Sequence, residues 1–168
     1  MEQLKHNKAK GQITAVLILL VQALESGHFL ADRMLITNVR AGLSTEPDAG
    51  FVSYESLRRK RARLRKGDEA VEIVGTLDMV LEVVSPTSVE KDTKILPKIY
   101  WRAGVAEFWL VDPRGENVTF EIFQHGPKEY VAAPRRNGWI KSEVFGKSFR
   151  LTQSAGKDGV TEYRLEVR

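Results

Sequence analysis

Residues 78–84 read Asp-Met-Val-Leu-Glu-Val-Val. The run is almost continuously apolar, the signature of a strand buried on both faces. Glu82 stands in its middle. An ionised carboxylate there is costly unless something pairs with it, and a charge kept in such a place does chemistry or holds a cation. Side chains alternate along a strand, so Asp78, Val80, Glu82 and Val84 share one face and Met79, Leu81 and Val83 the other.

A second acid opens an earlier run, Pro47-Asp48-Ala-Gly-Phe-Val. Proline fits a strand start because it cannot donate to the ladder. If the two strands pair, Asp48 and Glu82 converge. Two close carboxylates repel unless a divalent cation sits between them. Oxygen-only ligation suits a hard ion such as Mg²⁺ or Mn²⁺. Such an ion activates water and stabilises charge on a phosphodiester in transit.

Around these strands the pattern predicts a helix at about 8–26, stopped by Gly27, and strands at about 33–40 and 48–53. Two more strands follow at about 69–74 and 77–84. A helix then starts at Thr87 or at Asp92–Thr93, with Pro97 favouring the later start and Gly104 closing it. Residues 106–112 form another buried strand. The tail reads as an antiparallel meander, with strands at about 117–124, 129–133, 139–145 and 159–167. The β-α-β order makes the Glu82 strand and the Phe108 strand parallel neighbours. The fold class is a mixed α+β sheet, and residues 1–168 are expected to form one domain.

With 168 residues, 42% of them hydrophobic, the chain can bury a sizeable core. It has no cysteine, which excludes disulfides, thiolate zinc sites and thiol nucleophiles and fits a cytoplasmic location. Its three histidines are scattered, which argues against a histidine metal site. The segment Ile13–Leu24 after Lys5, Lys8 and Lys10 imitates a signal peptide, but it lacks a clean cleavage site and is too short to span a bilayer. A buried or amphipathic helix fits it better, and no membrane partner is expected.

The net charge of +4 is local. Residues 58–66 hold seven basic groups in nine positions: Arg58, Arg59, Lys60, Arg61, Arg63, Arg65 and Lys66. Without those seven the remaining chain carries −3. The segment suits nucleic-acid phosphates, or is simply a solvated edge. Lys91, Lys94, Lys98 and Arg102 form a helical stripe that reads either as a solvated face or as a phosphate-contacting ridge. Trp101, Phe108 and Trp109 read as core.

The strings PDAGFVS, LDMVLEVVSPTSVEKDT and YWRAGVAEFWLVDP, spread between about Thr45 and Pro113, resemble the bacterial Uma-type family of the PD-(D/E)XK superfamily. The resemblance implies a restriction-endonuclease-like core with a C-terminal antiparallel meander, and Mg²⁺- or Mn²⁺-dependent hydrolysis of DNA. Asp48 matches the motif Asp, Glu82 the acid of the (D/E)XK element, and Asp78 a further acid, all three as metal ligands. A catalytic Lys is implied two residues after the acid, or four before Tyr100, but those positions are Val84 and Leu96. Lys94 and Lys98 lie about 160° around the helix from Leu96. Lys91 and Lys94 are the candidates left for that role. Duplex cutters of the superfamily often act as dimers, so a homodimer is an expectation of the resemblance. The alternatives are a degenerate nuclease fold that binds nucleic acid without cutting it, and an interaction protein whose acids form structural ion pairs.

Overall fold

The computed structural model describes residues 3–32 and 34–168. Helix α1 (Leu4–Leu24) buries His6, Ala9, Ile13, Leu17 and Val21, one stripe at helical spacing. Ile13 and Leu17 are wholly buried, each contributing roughly 1.5–3 kcal/mol. The helix ends at Glu25 in a left-handed conformation, φ 47°, rather than at Gly27. Gly27 instead opens a strand that the sequence reading omitted, β1 (Gly27–Ala31). A Cβ on Gly27 would lie 2.2 Å from the Val52 carbonyl oxygen, so the close approach of β1 to its neighbour requires glycine.

Strands β2 (Leu35–Asn38), β3 (Leu43–Thr45) and β4 (Ala49–Ser53) follow, and then the short helix α2 (Tyr54–Arg58). Next come β5 (Ala62–Leu64), β6 (Glu72–Gly75) and β7 (Met79–Val83), whose five residues are all buried. A π-helical turn, Lys91–Ile95, runs into α3 (Leu96–Arg102). Gly104, at φ +77°, terminates α3 as expected. Strand β8 (Glu107–Asp112) then returns parallel to β7. The tail supplies β9 (Thr119–His125), β10 (Tyr130–Ala132), β11 (Arg135–Arg136), β12 (Trp139–Ser142), β13 (Lys147–Ala155) and β14 (Thr161–Val167).

The central sheet has the order β1-β4-β7-β8-β9-β10. The tail is therefore not one meander: β9 and β10 extend the central sheet, and β11–β14 form a separate antiparallel sheet. Met79, Leu81 and Val83 face α1 and the C-terminal sheet in one core. Val80 faces the other core, with Leu96, Tyr100 and Phe108. By alternation Glu82 belongs to the α3 side. A third sheet, β3-β2-β6-β5, flanks that side.

Candidate active site

The register of β4 against β7 pairs Phe51 with Met79, Gly50 with Val80 and Ala49 with Leu81. One step further sets Asp48 opposite Glu82 on the same face, where directly opposed Cβ atoms are about 5 Å apart. Asp48 Oδ2 accepts a hydrogen bond from the Val83 amide at 2.7 Å. Like charges facing each other across a ladder destabilise it, so the pairing needs compensation.

Helix α1 supplies part of it. His6 and Lys10 stand one turn apart on the same helix face. His6 donates from Nε2 to the Val83 carbonyl at 2.7 Å and lies 3.7 Å from Asp48 Oδ2. Lys10 Nζ lies 3.4 Å from Asp48 Oδ1 and 3.7 Å from Asp32 Oδ2. Burial works to raise the Asp48 pKa, but the His6 contact, the Val83 amide and the Lys10 charge outweigh it and hold the carboxyl below its usual value. Asp48 is therefore ionised at neutral pH.

Glu82 behaves oppositely. It is 2% exposed, and burial pushes its pKa up to about 8, against the lowering effect of the Tyr100 hydroxyl, with Asp48 and Asp92 adding to the rise. Tyr100 donates to Glu82 Oε1 at 2.5 Å. Burial, with Glu82 beside it, raises the Tyr100 pKa well above the usual phenol value. Without a bound cation Glu82 is mostly protonated at pH 7.

The third acid is one that the sequence reading treated only as a helix start. Asp92 lies on the π-helical turn, 1% exposed. Its Oδ1 is buried and makes no hydrogen bond, although the Lys91 ammonium approaches to 3.5 Å. Burial raises the Asp92 pKa, and the Asp48 charge contributes to the rise. Single π turns inside helices are frequent at functional sites. Here the turn carries Asp92 toward the acids of β4 and β7.

The remaining candidates sit elsewhere. Asp78, at the far end of β7, accepts hydrogen bonds from the Ser53 amide at 2.6 Å and the Ser56 hydroxyl at 2.7 Å. Four residues of strand separate it from Glu82, about 13 Å, so the structure gives it the anchoring of α2 and not a place among the acids. The basic segment lies at that same end: Arg61 is 4.0 Å from Asp78, Arg58 and Arg59 pair with Glu55, and Arg65 approaches Glu72. Of the two candidate lysines, Lys91 lies near the acids, whereas Lys94 lines a groove on the outer side of α3. Val84 and Leu96, where the resemblance implied a lysine, are both buried, Leu96 within the core beneath α3. A third buried carboxylate, Glu107, is anchored away from the site by Trp109 Nε1, the Ser142 hydroxyl and the Glu143 amide.

The family model described as "Uma2: Putative restriction endonuclease" matches residues 1–154. The chain belongs to the Uma2 family. Among solved structures it is similar to a crystal structure titled as a putative nuclease belonging to DUF820, from Anabaena variabilis. That match has 18% identity and a TM-score of 0.63, covering 87% of this chain and 76% of the other. At this identity the likeness supports the nuclease-like fold alone. No curated protein matches. Among the described residues of this Uma2 chain, no three acids or histidines stand close enough together to cage a metal ion. The oxygen donors are nevertheless of the right chemistry for a hard divalent cation, and Asp92 Oδ1 makes no hydrogen bond although Lys91 stands 3.5 Å from it. Among the described residues no helix is long and apolar enough to cross a membrane.

Proposed function

We propose that this Uma2 chain is a divalent-metal-dependent nuclease that hydrolyses DNA phosphodiester bonds, with Asp48, Glu82 and Asp92 as the metal-holding acids. The observation that carries the reading is Asp48 facing Glu82 across the β4–β7 ladder, with Lys10 on Asp48 and the buried Asp92 near enough for the Asp48 charge to raise its pKa. A divalent cation bound there would lower the pKa of a coordinated water and shield the charge of the phosphodiester. The chain's own residues do the rest. Asp48, already ionised, is the first anchor. Glu82 releases its proton as positive charge arrives, because burial has raised its pKa to about 8, and Asp92, its pKa also raised by burial, adds a further carboxylate. Tyr100 fixes the Glu82 carboxyl, and His6 ties α1 to the end of β7. Lys10 is the better candidate for the cation that faces the phosphate, because it contacts Asp48, whereas Lys94 points to the other side of α3. Lys91, beside Asp92, assists.

The test is cleavage of supercoiled plasmid and of single-stranded DNA in Mn²⁺ and in EDTA. Cleavage in Mn²⁺ that is lost in EDTA and in Glu82→Gln supports the reading, and full cleavage by the folded variant refutes it. A second reading, a nuclease fold that binds nucleic acid without cutting, is favoured by one observation: Val84 and Leu96 are buried apolar groups where a lysine was implied. Salt-sensitive binding with no cleavage under any divalent cation would select it.

A further inference from the structure

Beyond the acids, the outer side of α3 borders a groove of about 1040 Å³ over the half of the central sheet that carries β8, β9 and β10. Its floor is apolar, with Ile95, Ile99, Leu110, Phe123 and Tyr130. Ile95 is 49% exposed. The rings are held in place before any ligand arrives. Phe123 stacks on Phe108 with centroids 5.8 Å apart, Tyr130 donates its hydroxyl to the Val105 carbonyl at 2.8 Å, and Trp101 stacks on His125 at 5.2 Å. The rim carries four cations, Lys94, Lys98, Arg102 and Lys128, against two acids, Glu90 and Glu129. The groove begins at the π-helical turn that holds Asp92, so it leads away from the acid cluster along α3.

We infer that this groove binds an unpaired nucleic-acid strand, with bases over the apolar floor and phosphates on Lys94, Lys98, Arg102 and Lys128. Three features select that occupant. Aromatic platforms between basic rims are the common means of holding single strands without reading sequence. A duplex keeps its bases stacked inside and would reach the rim but leave the floor bare. A second copy docked about a two-fold axis would set this positive rim against itself, which the charge opposes. From Lys94 to Arg102 the helix advances about 12 Å at 1.5 Å per residue, so the rim cations follow the length of the groove and can meet successive phosphates of one strand. The choice of nucleic acid as occupant rests on the nuclease reading above. The groove adds which form of substrate is held, and by which surface.

The test is metal-free. A fluorescein-labelled twelve-nucleotide thymidine oligomer and a twelve-base-pair duplex are titrated in EDTA with the wild type, Glu82→Gln, and the double variant Lys98→Glu/Arg102→Glu. Both rim positions are exposed, so the fold is expected to survive, and circular dichroism checks it. The inference predicts tighter binding of the oligomer than of the duplex, unchanged binding in Glu82→Gln, and at least tenfold weaker binding in the double variant. The log–log salt slope should fall by about 1.4, the share of two contacts on a single strand. Equal oligomer affinity in the double variant, or no preference for the oligomer, overturns it, as does absence of oligomer binding together with a dimer in light scattering. The nuclease reading fails separately. A protein that cuts DNA but binds the oligomer equally in both forms loses the groove alone, and one that binds in the groove but never cuts loses the nuclease assignment alone.

Discussion

Replacing Glu82 by Gln is predicted to stabilise the metal-free protein at pH 8 and to flatten its stability profile between pH 5 and pH 8. In the unfolded chain Glu82 ionises near its model value of 4.5, whereas in the folded chain burial keeps it protonated up to about 8. Between those values the native state binds more protons, so stability falls as pH rises through the window and levels off above it. At about 1.36 kcal/mol per pKa unit, the loss is about 1 kcal/mol at pH 5 and about 4 kcal/mol at pH 8. Gln keeps the shape and can still accept from Tyr100, but it has no charge to bury. The pH-dependent difference of roughly 3 kcal/mol corresponds to about 6–12 °C in Tm for a chain of this size. Asp48 acts in the opposite sense and in another window: its depressed pKa stabilises the fold above the usual carboxylate range and is lost only in acid. Urea unfolding of both proteins at pH 5 and pH 8 in EDTA measures the effect. Parallel pH profiles would refute the claim that Glu82 is buried and uncompensated in the absence of metal.

Asp78→Asn should leave metal binding and cleavage per folded molecule intact while costing about 2–4 kcal/mol in urea unfolding, because two charge-assisted hydrogen bonds anchor α2 through it. Lys10→Met should reduce the cleavage rate at least a hundredfold with little change in Mn²⁺ affinity, and Lys91→Met should do less. Single-turnover assays on labelled DNA decide between them. Glu107→Ala should cost about 3 kcal/mol or more, since it leaves buried donors on Trp109 and Ser142 without an acceptor. The near-ultraviolet signal of Trp109 would report the loosening.

The centre of the fold was legible because its chemistry is local. Pro47 marked a strand start, the apolar run around Glu82 marked a buried strand, and Gly104 marked the end of a helix. Whether the two strands pair stayed open in the sequence; they do, antiparallel, and the pairing opposes Asp48 to Glu82. What escaped depends on contacts distant in sequence. Strand β1 has five residues behind a helix and is recognisable only by its fit against β4. The nine-residue β13 carries only two large apolar side chains, Phe149 and Leu151, so its alternation is faint. Asp92 looked like a helix cap because a π turn cannot be read from residue types. Lys10 looked like one of the basic residues leading into an apolar helix, and it and His6 reach Asp48 only because α1 packs across the central sheet. Asp78 shares a strand face with Glu82, but strand rise sets them about 13 Å apart.

The central claim is that Asp48, Glu82 and Asp92 form one divalent-cation site. Calorimetric titration of Mn²⁺ into the wild type, Glu82→Ala and Asp92→Asn tests it most directly. The account predicts one site per chain with proton release near neutral pH, lost in Glu82→Ala and at least tenfold weaker in Asp92→Asn. Binding of equal strength in all three proteins would contradict it.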